Sequence, residues 1–222
     1  MASIGAAVPT LGALMLAMLI QPVSAQSLPE GMTACSISGY SLDRSRAGTP
    51  VRAEPNAKAK IVGRIAPPQK ATARDLEDIS VPTDEVWRAG FQILGIKDGW
   101  VLIEKALHPY NDPYYFGTLG RRSTGGIKTY SGRGWLPLSQ IGGKVTYYRK
   151  MPLGALYAEP REDAPLLPAK NAMEGPLSGG NQPKRILACS GEWVQVESPD
   201  GVIGWWRGLC GAPVSDCEPL SG

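Results

Sequence analysis

Four cysteines, one histidine and six tryptophans are the side chains from which this chain could build chemistry. A thiol nucleophile needs a base within hydrogen-bond reach and a polar group to orient that base. His108 is the sole histidine, is followed by Pro109, and reads as a surface-loop residue. A strained Gly-x-Ser-x-Gly turn is missing too: the nearest stretch, residues 175–180, has Pro176 where the first glycine belongs. Acidic residues fall in turns such as Asp98-Gly99 and Asp200-Gly201 and make no spaced carboxylate pair. The chain therefore reads as no enzyme and implies no cofactor. A hydrolase with an unrecognised carboxylate site is the alternative from a different class.

The cysteines have another use. Cys35, Cys189, Cys210 and Cys217 contain no Cys-x-x-Cys spacing, and one histidine is too few for a tetrahedral zinc site, so no metal is expected. An even count in an exported chain reads as two disulfides, with all three pairings open. Cys210 and Cys217 can close on each other only if residues 211–216 turn back, because that run spans ~23 Å when extended.

Export follows from the N-terminus. Residues 1–25 carry no Asp, Glu, Lys or Arg. Residues 11–20 form an apolar run too short to span a bilayer, which takes ~20 residues. Val23-Ser24-Ala25 places small residues at the last and third-last positions before Gln26, the pattern of a signal-peptidase site. The expectation is a signal peptide over 1–25 and a periplasmic or secreted mature chain with no membrane span. The net charge of +3 is no footprint for nucleic acid, which wants a clustered basic face. Arg121-Arg122, Arg149-Lys150 and Lys184-Arg185 stand apart from one another.

Binding has better candidates than catalysis. An indole offers wide contact area at small entropic cost, so tryptophans on a strand face can floor a groove for peptide or glycan. Trp100 alternates with Val101 and Ile103, and Trp193 with Val194 and Val196. Each Trp thus lies on the face opposite the apolar pair, either lining a groove or lidding the back of a small barrel. A second cluster, Tyr110, Tyr114, Tyr115 and Phe116, follows His108 closely. Such aromatic density marks a sticky edge or a loop folded back over its own domain.

The elements that must position these residues are short strands. With 27 glycines and 20 prolines, turns recur every eight to twelve residues, and no long helical stripe appears in the mature chain. That spacing predicts an all-β sandwich or small barrel. The one helix candidate, residues 70–80, is worth a turn or two before Val81-Pro82. Residues 91–104, FQILGIKDGWVLIE, return as residues 184–197, KRILACSGEWVQVE. Ala53-Glu54-Pro55 returns as Ala158-Glu159-Pro160, and Gly134-Trp135 as Gly204-Trp205. Ala-Glu-Pro, Ile-Leu, Trp-Val and Gly-Trp thus recur as four elements in one order and indicate an internal duplication. Trp100 and Trp135 are 35 residues apart while Trp193 and Trp205 are 12 apart, so the first copy carries a long insertion. Insertions of that length in a compact β domain are functional or disordered.

The stretch Pro50-Val51-Arg52-Ala53-Glu54-Pro55, the Asp98-Gly99-Trp100 hairpin and the Gly134-Trp135 strand together resemble a bacterial SH3-like domain. The second half resembles a degenerate copy in which Tyr157 replaces Arg52. The resemblance implies two small SH3-like β-barrels in tandem after a signal peptide, with the first copy over 26–148 and the second over 149–222. Trp100, Trp135, Trp193 and Trp205 fall on the family's recurrent tryptophans. The resemblance further implies a non-catalytic binding or scaffolding module of the cell envelope. Its partner would be peptidoglycan or an envelope protein. A structural subunit of an envelope complex is the neighbouring alternative.

Overall fold

The computed structural model describes residues 27–70, 86–108, 127–145, 155–169 and 182–211. The apolar N-terminal run, all but the first residue of the helix candidate at 70–80, the cluster Tyr110, Tyr114, Tyr115 and Phe116, and Cys217 lie outside the described residues.

Within them the chain is all-β apart from one 3-10 turn, Leu138–Gln140. The first half contributes β1 (Thr33–Ser41), β2 (Thr49–Arg52), β3 (Ile61–Ile65), β4 (Gln69–Lys70) and β5 (Val86–Trp87). It continues with β6 (Gly90–Lys97), β7 (Trp100–His108), β8 (Ile127–Pro137), β9 (Ile141–Gly142) and β10 (Lys144–Val145). The second half contributes β11 (Ala155–Tyr157), β12 (Leu166–Pro168), β13 (Arg185–Ser190), β14 (Trp193–Glu197), β15 (Ile203–Arg207) and β16 (Leu209–Cys210). No helix among the described residues is long and apolar enough to cross a membrane.

The duplication is visible in the pairing. A seven-stranded sheet runs β3-β2-β8-β7-β6-β1-β9, and a five-stranded sheet runs β12-β11-β15-β14-β13. Without β1 and β9, the first order is the second, strand for strand. Register agrees as well: Arg52 lies opposite Trp135 as Tyr157 lies opposite Trp205. Lys97 faces Trp100 as Ser190 faces Trp193. A bulge interrupts β6 between Ile93 and Gly95 and β13 between Ile186 and Ala188, so Leu94 and Leu187 are the extra residues. A bulge bends its strand and adds twist, and here it does so at the same point of both sheets.

The repeated Gly-Trp has a steric cause. A Cβ on Gly134 would lie 2.3 Å from Val51 Cγ1 and 3.0 Å from Arg52 O. One on Gly204 would lie 2.6 Å from Leu156 Cβ and 3.0 Å from Tyr157 O. Val51-Arg52 and Leu156-Tyr157 are the equivalent ends of β2 and β11. Only glycine lets those strands approach so closely, and the tryptophan that follows each glycine takes the place opposite Arg52 or Tyr157.

The alternation read from sequence places the core. Val101, Ile103, Val194 and Val196 are buried, together with Val51, Phe91, Ile93, Leu136, Leu156 and Trp206. Buried side chains of both sheets form one contiguous cluster. β1 fastens the halves. It pairs with β6 and β9, and its Cys35 is disulfide-bonded to Cys189 of β13, with Cα atoms 5.8 Å apart. Cys210 is disulfide-bonded too. Gly191, in the β13–β14 turn, donates its N–H to Ala34 O at 2.8 Å and accepts from Ser36 N–H at 2.7 Å. β10, which follows the first sheet, pairs with β16 beyond the second. The links through β1 sit at the ends of the two large sheets away from β3 and β12, and β10 and β16 form a two-stranded sheet of their own.

Candidate binding site

The four tryptophans of the repeat have different surroundings. In the second sheet Trp193 meets Tyr157 edge-on, with ring centroids 5.4 Å apart and an interplanar angle of 84°. Trp193 and Trp205 both pack against the contiguous core. In the first sheet Trp135 is buried at 6% exposure beside its cross-strand neighbour Leu102, also at 6%. Trp100 is half-buried and, among the described residues, is not one of the partly buried apolar side chains that pack against the core.

The reason lies across the sheet. Arg52 occupies the place of Tyr157, and its Nη1 donates to Ala59 O at 2.8 Å, fixing the loop between β2 and β3. A guanidinium turned to its own loop supplies no ring edge for Trp100. Trp100 is flanked instead by Lys97 on β6 and Pro137 on β8. Lys97 Nζ is held by Glu30 O at 2.7 Å. Met32 comes down over Gly95, where a Cβ would lie 2.3 Å from its Sδ. Met32, Lys97, Trp100 and Pro137 are all half-buried. Together they make a shallow surface with one aromatic ring, one soft thioether and one anchored ammonium. Such a surface can stack on a sugar ring or a peptide and offer a cation to a carboxylate.

The two hairpin turns also differ. Asp98 and Gly99 have φ of 50° and 75°, the left-handed pair that a type I′ turn requires. In the second hairpin Gly191, at φ 56°, takes the first central position, and Glu192 has no positive φ. That arrangement turns the peptide groups of Gly191 toward β1. The first turn, Asp98-Gly99, is exposed, and the second is docked.

The glutamate that ends each phrase finds its cations on different neighbours. Glu104 is paired with Arg133 of β8 at 3.3 Å and with Lys105 at 3.5 Å. Glu197 is buried and takes Lys184 at 2.6 Å and Arg185 Nε at 2.6 Å. Hydrogen bonds from Lys184 and then Arg185 hold the Glu197 carboxyl below its ordinary value.

Sequence reasoning missed two residues of consequence. Trp206, at 1% exposure, is the core member of the second Gly-Trp strand, equivalent to Leu136. Its signal was available: it follows Trp205 directly, so strand alternation puts the two rings on opposite faces. Tyr130 on β8 covers Gly63 of β3, where a Cβ would come within 2.4 Å of its ring. His108 closes β7, opposite Ile127, instead of lying in a loop. The insertion of the first copy therefore extends from a lengthened β7–β8 hairpin, at the place where the second copy turns through Ser198–Gly201. Among the described residues no three His, Cys, Asp or Glu side chains are grouped to hold a metal ion. No family model matches the chain, and neither a curated protein nor a solved structure matches it.

Proposed function

We propose that this protein is an exported, non-catalytic module of the cell envelope, built of two SH3-like barrels in tandem. In this reading it holds peptidoglycan or an envelope protein on the face around Trp100. The observation that carries the reading is the unequal treatment of two equivalent tryptophans. One sheet covers its tryptophan with Tyr157 and the core, whereas the other leaves Trp100 beside Lys97, Met32 and Pro137. An apolar ring kept off the core on an otherwise duplicated frame is accounted for by a ligand. The Cys35–Cys189 bridge supports an oxidising compartment.

The test is co-sedimentation of the oxidised protein with purified wall sacculi, beside capture from a detergent extract of the envelope. Trp100→Ala should lose the retained fraction, about tenfold in affinity for a central aromatic contact. Wild-type protein retained by neither material, or Trp100→Ala retained as well as wild type, would end this reading.

A further inference from the structure

The loops 53–60 and 158–165 occupy one position of the repeated sheet, just before the edge strands β3 and β12. They fold on the same three backbone hydrogen bonds. Ala53 N–H reaches Lys60 O and Ala158 N–H reaches Pro165 O; Asn56 N–H reaches Glu54 O and Arg161 N–H reaches Glu159 O. The third pair is Ala59 N–H to Asn56 O and Ala164 N–H to Arg161 O.

On this shared backbone the charges are opposite. Lys58 stands where Asp163 stands in the second copy, and Ala57 where Glu162 stands. Arg64 of β3 binds Ala47 O and Gly48 O, which brings the loop bearing Arg44 and Arg46 to the same edge. In β3 and the loops beside it, the five cations Arg44, Arg46, Lys58, Lys60 and Arg64 thus meet only two carboxylates, Asp43 and Glu54. Among the described residues none of those five cations makes an ion pair. Around β12, Glu159, Glu162 and Asp163 share two arginines, Arg161 and Arg207, the second of which also reaches Glu192 of the β13–β14 turn. Both edges also expose an aliphatic side chain at the equivalent place: Ile61 opposite Arg52, at 42%, and Leu166 opposite Tyr157, at 47%. Val62 adds a further 44% exposed side chain to the first edge.

These edges are the ends of the two sheets away from β1, β9 and β13, where the halves are joined, and among the described residues no further strand pairs with either edge. A symmetric dimer through either edge would set like charge against like. A head-to-tail contact sets cations against carboxylates and Ile61 and Val62 against Leu166. We infer that the β3 edge of one molecule docks on the β12 edge of a second copy of this chain, giving an open, salt-sensitive head-to-tail assembly.

Sedimentation velocity of the oxidised chain over a concentration series tests the contact. The average mass should rise with concentration at low salt and fall toward the monomer at ~0.5 M salt, where surface charges are screened. Lys58→Asp and Asp163→Lys should each weaken association about tenfold, and the double swap should restore it. Circular dichroism of each variant confirms that an exposed loop was changed without unfolding the chain. A monomer at every concentration would overturn the inference, as would association indifferent to both reversals or a double swap that rescues nothing. A monomer retained on an anionic wall polymer through Lys58 would assign the edge to that partner and overturn the self-contact.

Discussion

Trp100 and Trp193 begin equivalent strands, follow equivalent bulges and are both half-buried, yet only Trp193 packs against the core and meets the Tyr157 ring. The contrast separates two kinds of constraint. What the two sheets share is backbone geometry: the glycines beneath β2 and β11, the bulged leucines, the strand order. Changing any of these moves a whole strand. What differs is side chains that meet only one or two others. Tyr157 against Arg52, Trp206 against Leu136 and the cations of Glu197 against those of Glu104 have each gone their own way. The larger sheet gains β1 and β9 and fills its core with Phe91, Ile93 and Leu136. The smaller one uses an indole, Trp206, at the position of Leu136.

The contrast can be broken or sharpened by mutation, beginning with the link between the halves. Replacing Cys35 and Cys189 together by alanine opens a loop with a sequence separation of 154. Urea denaturation should show a loss of up to ~5 kcal/mol, the upper end for native bridges. Next come the swapped core residues. Trp206→Ala should cost ~3–5 kcal/mol and Leu136→Ala ~2–5 kcal/mol. A Trp206→Ala protein as stable as wild type would remove the second sheet's core from this account.

Glycine-to-alanine changes probe the shared frame directly. Gly134→Ala and Gly204→Ala should each cost ~1–3 kcal/mol in thermal melts, because the new methyl meets a neighbouring strand. Similar costs sharpen the equivalence of the sheets, and a cost at only one of them breaks it. The smallest expected effect is on acid sensitivity. The Glu197 carboxyl is held below its ordinary 4.5 in the folded chain. Its contribution is therefore present above pH 4.5 and lost as pH falls through the depressed value. Glu197→Gln should flatten the decline of melting temperature below pH 4.5. An unchanged decline would mean that other carboxylates govern it.

How much of this was legible beforehand follows from the range of each signal. Strand alternation is local, so Val101, Ile103, Val194 and Val196 could be assigned to the core from their spacing to Trp100 and Trp193. The repeat was legible because its turn and Gly-Trp elements are contiguous phrases. β1 was not, since a strand that pairs with β6 and β9 and bonds covalently to β13 leaves no periodic mark near Cys35. The same holds for the pairing of Cys35 with Cys189, which spacing alone left among three possibilities. The outward rows were half-legible: alternation put Trp135 and Trp205 across from the core. It could not show that Trp135 is buried beside Leu102 while Trp205 packs on the core. Arg52 and Tyr157 were seen as a substitution in the motif. Their effect on Trp100 and Trp193 required the cross-strand register.

The most direct test of the account sets Trp100→Ala beside Trp193→Ala, measuring melting temperature and sacculus retention on the same preparations. Losing Trp193 removes a packed ring and its edge-on partner, worth ~2–3 kcal/mol, or about 5–10 °C in a domain of this size. Its retention should fall only as the folded fraction falls. Trp100→Ala should melt within a few degrees of wild type and lose retention in the fully folded protein. Equal losses of stability in the two variants, with retention tracking stability in both, would contradict the claim that one tryptophan holds the fold and the other holds the ligand.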